Sequence, residues 1–158
     1  MEKKVTKKDR SPRQTAIIYP ITLPDRLILL LTLQDCMKQI TVPVDAITLR
    51  ETVTRFRNRL QTRPNNRFLY DAWQLYDWLI GPAEEELRAR EVETLIIAPD
   101  GVLRLIPFST LHDKDHFLVE DYAIVTIPGI SLTESEPLDQ QNINILLGGL
   151  SQGVQDFS

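Results

Sequence analysis

One thiol and two imidazoles carry most of the chemistry this chain could do: Cys36, His112 and His116 are the only cysteine and histidines in 158 residues. A thiolate beside an imidazole base is a nucleophilic pair. Cys36 sits in Gln34-Asp35-Cys36-Met37-Lys38, a polar turn in which nothing is placed to lower a thiol pKa. The local signature of one class of cysteine peptidase needs a small residue before the cysteine, a glycine two residues after it and a histidine upstream. Asp35 and Lys38 occupy those flanks and both histidines lie downstream. The expectation is an inert surface thiol, not a nucleophile.

Metal and acid/base chemistry are weighed the same way. His112 and His116 stand four apart, a spacing that shares a metal on a helix. The intervening Asp113-Lys114-Asp115 forms a turn rather than a helix interior, so a loop is expected. Glu84, Glu85 and Glu86 are adjacent, and adjacent helical residues diverge by about 100°, so they do not converge on one substrate atom. They read as charges at a helix start. Asp100-Gly101 is followed by neither a glycine-rich run nor a lysine and is a turn, not a phosphate loop. No catalytic, cofactor-binding or metal-binding residue is expected.

The elements that would position these groups alternate in type. Three β runs, Thr15 to Leu23, Arg26 to Leu33 and Met37 to Val44, are punctuated by Pro24-Asp25 and Gln34-Asp35. The unbroken Ile28-Leu29-Leu30-Leu31 suits an interior strand covered on both faces. Thr48 and Glu51 form a capping-box pattern, after which Leu49, Val53, Phe56 and Leu60 make one helical stripe. Arg50, Arg55, Arg57, Arg59 and Arg63 fall off the stripe and read as a solvated face rather than a nucleic-acid reader. Pro64-Asn65-Asn66 break the chain, and a second helix runs through Leu69, Ala72, Leu75, Tyr76 and Leu79, broadened by Trp73 and Trp78. Gly81-Pro82 ends it and starts a third helix anchored by Leu87.

The second half turns to β patterns. Thr94 to Ala98 and Val102 to Ile106 flank Asp100-Gly101, the signal for a hairpin. Phe117 to Ile127 is a further run, Thr133 to Asn142 a polar loop, and Ile143 to Leu147 a buried-type strand ending in Gly148-Gly149. Such a strand in an α/β sheet feeds a covering crossover helix. The few residues after it hold none, so the sequence reads as interrupted in mid-domain.

Composition fits one globular domain: 42% apolar, 25% charged and net −4. Residues 1–14 form a basic tail holding Lys3, Lys4, Lys7, Lys8, Arg10 and Arg13, expected to be solvated, and 15–158 form the domain. No apolar run reaches the ~18 residues of a membrane span and no signal-type segment follows the charged start. A cytoplasmic chain bound to neither membrane nor nucleic acid is expected, and a lone cysteine fits a reducing compartment.

From Leu75 onward several blocks resemble the CHAT family. They are Leu75-Tyr76-Asp77-Trp78-Leu79-Ile80 before Pro82, Thr94-Leu95-Ile96-Ile97 leading to Pro99-Asp100-Gly101, Leu103-Arg104 with Ile106-Pro107, Leu111-His112-Asp113, and Leu118-Val119-Glu120-Asp121-Tyr122-Ala123-Ile124. Upstream, Ile18-Tyr19-Pro20, Leu23-Pro24-Asp25-Arg26-Leu27 and Val53 to Phe56-Arg57 look like the family's opening strands and first helix. Gly148-Gly149-Leu150-Ser151 resembles the strand end that opens its caspase-like sheet. The one departure is Lys114, where the family often has glycine.

The resemblance implies an α/β fold, an incomplete caspase-like domain whose mixed sheet carries covering helices and antiparallel hairpins. The family uses a histidine and a cysteine to cleave peptide bonds, often behind tetratricopeptide repeats. Both catalytic residues follow the region resembling Ile143 to Ser151, so none transfers to a residue of this chain. The expectation is the amino-terminal part of a CHAT cysteine peptidase module, not catalytic by itself, with a protein partner (the remaining CHAT half or a tetratricopeptide region) or self-association. The alternative is a stand-alone interaction module or scaffold.

Overall fold

The computed structural model describes residues 14–62 and 66–128. The basic tail except Gln14, Pro64 and Asn65 of the break, Arg63, the polar loop, the run Ile143 to Leu147 and everything after it lie outside these residues.

The first three strands form where expected: β1 (Thr15–Thr22), β2 (Leu27–Thr32) and β3 (Met37–Val42). They make an antiparallel meander because each punctuating pair closes a tight turn. Leu23 N–H donates to Arg26 O at 2.9 Å, and Leu33 N–H to Cys36 O at 2.8 Å. Helix α1 (Ala46–Gln61) starts before Thr48. Asp45, not Thr48, is its cap: Oδ1 accepts from the N–H groups of Ile47 and Thr48, each at 2.9 Å, and Oδ2 accepts from the Thr48 hydroxyl at 2.7 Å. A carboxylate with two oxygens satisfies the orphan donors three residues early and displaces the Thr48–Glu51 box. Those bonds, the Thr48 N–H first, hold the Asp45 carboxyl below its ordinary value.

Helix α2 (Phe68–Leu79) leads through a 3-10 turn at Gly81–Ala83 into α3 (Glu84–Ala89), as Gly81-Pro82 implied. Glu91, with φ +50°, ends α3. Val92 N–H donates to Leu87 O and Glu91 N–H to Arg88 O, the paired bonds of a Schellman end.

Strand β4 (Thr94–Ile97) follows, but Asp100-Gly101 does not make a hairpin. Asp100 accepts from Gly101 N–H at 2.8 Å and opens a 3-10 helix over Gly101–Leu105. Burial of Leu103 and Ile106 with exposure of Arg104 and Leu105 between them is a three-residue period, which replaces the alternation of a strand. A second 3-10 turn covers Phe108–Thr110. The run from Phe117 to Ile127 also divides, into a short helix α4 (Leu118–Asp121) and strand β5 (Ala123–Thr126). Glu120 is the reason: its carboxylate accepts from Phe117 N–H at 2.8 Å and winds one turn.

The mixed sheet has the order β3-β2-β1-β4-β5, with β4 parallel to both β1 and β5. Thus β2 is interior, as its apolar run implied. Among the described residues only one face is fully buried, however. Ala16, Ile18, Leu27, Leu29, Leu31, Leu95 and Ile97 join Leu49, Val53, Phe56, Leu75 and Leu79 in one core. Ile17, Tyr19, Ile21, Ile28, Leu30 and Ile96 on the opposite face are half-buried, because the described helices pack on one side. Among the described residues no helix is long and apolar enough to cross a membrane.

Candidate functional site

Cys36 ends the β2–β3 turn, and it is half-buried against the core, not at the surface as its polar flanks implied, because the turn folds back onto the end of α3. Its polar neighbour is Arg90, whose Nη2 lies 3.6 Å from Sγ. Arg90 also pairs with Asp35 and reaches Glu86 at 3.5 Å, while Lys38 pairs with Glu86. These contacts strap the turn to α3. Partial desolvation pushes the Asp35 carboxyl up, yet its own backbone N–H and the Arg90 guanidinium leave it below the ordinary value. The four charged groups are partnered, which is a structural use of them.

The imidazoles occupy a different turn. His112 Nδ1 accepts from Lys114 N–H at 3.0 Å and its ring stacks edge-on with Phe117, centroids 4.7 Å apart. Asp113 Oδ1 accepts from the N–H groups of Asp115 at 2.8 Å and His116 at 2.6 Å. Desolvation pushes the Asp113 carboxyl up, but those N–H donors and the neighbouring imidazoles bring it below its ordinary value. The expected loop is present. His116 gathers with Asp113 and Asp121, ligand atoms within 4.8 Å of one another, and His112 is not in the group. Three donors, two of them on exposed residues, fall short of a closed tetrahedral site.

Lys114 holds φ at +94°, a conformation that costs a side chain about 1–3 kcal/mol and glycine little. Its ammonium sits over the Trp73 ring, 4.0 Å from the centroid. Lys114→Gly is therefore expected to be more stable than Lys114→Ala by about 1–2 kcal/mol in urea unfolding, since both lose the Trp73 contact and only alanine keeps the strain. Equal stabilities would show that the backbone there is unstrained.

The arginines of α1 do not form a uniformly solvated face. Arg55 Nε and Arg59 Nη1 hold separate oxygens of Asp71, at 2.7 Å and 2.8 Å. Asp71 is fully buried, while the two arginine side chains are 41% and 35% exposed. This pairing pins α1 to α2 and escaped the sequence reading. The available signal was an acid on the buried stripe of α2, between Phe68 and Ala72.

At the carboxyl ends of the parallel strands β1 and β4 a cleft of about 460 Å³ is lined by Thr22, Leu23, Ile47, Asp100, Gly101 and Val102, among others. Arg104 fastens its rim. Its Nε donates to Pro99 O at 3.3 Å, and its Nη2 to Asp100 Oδ1 at 3.3 Å and to Pro128 O at 3.5 Å. The blocks that carried the resemblance thus meet around β4 and its exit. A family model described as the CHAT domain matches residues 71–158, more than half of the chain. The chain belongs to the CHAT domain family. Within the CHAT match, Leu75 and Leu79 join the core, Leu103 and Ile106 are the buried positions of the 3-10 helix and its end, and Leu111 and Leu118, joined by a main-chain hydrogen bond of 2.8 Å, flank the histidine turn. The blocks specify packing and turns, and the CHAT turn closes over Lys114 despite the missing glycine. No curated protein matches the chain.

Proposed function

We propose that this chain supplies an amino-terminal, non-catalytic segment of a caspase-like CHAT module, whose role is to build and position the sheet for a partner segment carrying the reactive histidine and cysteine. One observation carries this reading. The chain's only thiol accepts a hydrogen bond from Arg90 at the β2–β3 turn, while both of its histidines lie in the turn after Leu111, where His112 Nδ1 accepts from Lys114 N–H and the His116 main-chain N–H donates to Asp113. Peptide cleavage by a thiolate needs the base within about 3 Å of the sulfur, directly or through one water. The lone cysteine also fits a reducing compartment, and a cytoplasmic location belongs to this proposal.

The test is a peptidase assay on the full chain with a library of fluorogenic peptides, alone and mixed with a CHAT segment that holds the two reactive residues. Activity is expected only in the mixture, and Cys36→Ala should leave it unchanged. Cleavage by the chain alone that disappears with Cys36→Ala would refute the reading.

A second reading, a protein-interaction module, is favoured by the half-buried sheet face. Met37, 67% exposed, and Val125, 44% exposed, extend that face across the edge strands. An apolar surface of this breadth marks an interface. The occupant in this reading is the rest of a CHAT module, or a tetratricopeptide-repeat region. A chain that stays monomeric at micromolar concentration, unfolds in one sharp step and binds neither partner would remove it.

A further inference from the structure

The outward side of α1 carries a groove of about 550 Å³ whose lining residues precede the matched CHAT residues 71–158. It follows two adjacent ridges of the helix, Arg50-Thr54-Asn58 and Arg55-Arg59, and has Arg67 at its far end. At ~1.5 Å per residue, the ridge from Arg50 to Thr62 is on the order of 18 Å long. Four guanidiniums line it against one carboxylate, Glu51, with Asp71 buried beneath.

Asp71 uses the Nε of Arg55 and the Nη1 of Arg59. The Nε and Nη2 of Arg59 and the Nη1 of Arg55 make no hydrogen bond among the described residues, and the exposed Arg50 makes no ion pair there. Two guanidiniums are thus already oriented by a buried anion, and a ligand that meets them pays little side-chain entropy.

We propose that this groove is a docking site for an acidic peptide segment of a partner protein, whose carboxylates pair with Arg50, Arg55 and Arg59. The length decides for a peptide over a single small anion: at about 3.3 Å per extended residue, roughly five residues fill the groove. Asn58 and Thr54 lie between the cations; Asn58 offers an amide to backbone groups, and Thr54, whose hydroxyl donates to Arg50 O at 2.8 Å, offers an acceptor oxygen. A nucleic-acid strand is a poorer fit. No aromatic side chain lines the groove to stack a base, and the chain's net charge of −4 opposes a polyanion at long range.

The experiment titrates the full chain into a fluorescein-labelled decapeptide of alternating Glu and Ser, followed by anisotropy, with a Gln-for-Glu peptide as control. Micromolar affinity is expected at about 50 mM salt and at least a tenfold loss at about 300 mM, as screening requires. Arg50→Glu is expected to weaken binding about tenfold with thermal unfolding unchanged, since Arg50 makes no ion pair among the described residues. Inorganic phosphate, a single-stranded oligonucleotide and phosphatidylserine vesicles are titrated in parallel. Equal binding of the Gln peptide, no effect of Arg50→Glu, or any of those three binding through Arg50 in place of the Glu peptide would overturn the proposal.

Discussion

Asp71→Ala is expected to destabilise the fold by about 3 kcal/mol, read as a lower urea midpoint at unchanged slope. Removing one partner of a buried ion pair typically costs about 3–5 kcal/mol, because the remaining charge is left uncompensated. Here the arginines are 41% and 35% exposed, so water recovers part of that cost and the lower end applies. Arg55→Ala alone should cost less, about 1–2 kcal/mol, because Arg59 still holds one carboxylate oxygen. The double Arg55→Ala, Arg59→Ala variant strands the buried carboxylate and should exceed the sum of the singles. Strict additivity, or an Asp71→Ala effect below about 0.5 kcal/mol, would mean the triad is not structural.

A larger loss, about 3–5 kcal/mol, is expected for Phe56→Ala. Phe56 has the greatest volume among the fully buried side chains and lies on the α1 stripe. Truncation leaves a cavity under the sheet that neighbouring strands, tied by their ladders, fill only in part. Against a total of about 5–15 kcal/mol for a domain, that places the variant near unfolding at 37 °C. Phe56→Leu, which keeps most of the volume, should retain a cooperative transition and lose less than half as much. Chemical denaturation of both variants checks this, and matched losses would show that α1 does not seal the core.

These two sites differ in how much of them the sequence discloses. Phe56 is legible because burial of one helical face repeats at three and four residues, and the stripe from Leu49 to Leu60 states that period directly. Asp71 is not, since the ion pair depends on how two helices cross, and no local pattern encodes a crossing. The meander was legible for the same local reason: alternation and tight turns are short-range facts. Where two local rules competed, sequence reasoning chose wrongly. Asp100-Gly101 suits a hairpin turn and an N-cap equally, and the apolar spacing of Leu103 and Ile106 settles it only once β4 is known to be flanked by β1 and β5. Thr48 lost the cap to Asp45 because a carboxylate accepts more backbone donors than a hydroxyl. For the candidate site, the turn that holds Cys36 was readable from its flanks, whereas the Arg90 guanidinium beside its sulfur comes from 54 residues away and was not. The groove on α1 was not, because the same arginines serve a packed interface and an open surface.

The parallel pairing of β1 with β4 sets Thr15 opposite Thr94. Everything between them, three strand segments' worth of meander and three helices, must be in hand before that register gains any enthalpy. A meander closes through short loops on the order of microseconds, whereas the β1–β4 seam waits on contacts separated by half the chain. The slow step of assembly is therefore expected at the middle of the sheet, and a nascent polypeptide emerging in order holds β1 without its β4 partner until β4 has been synthesised.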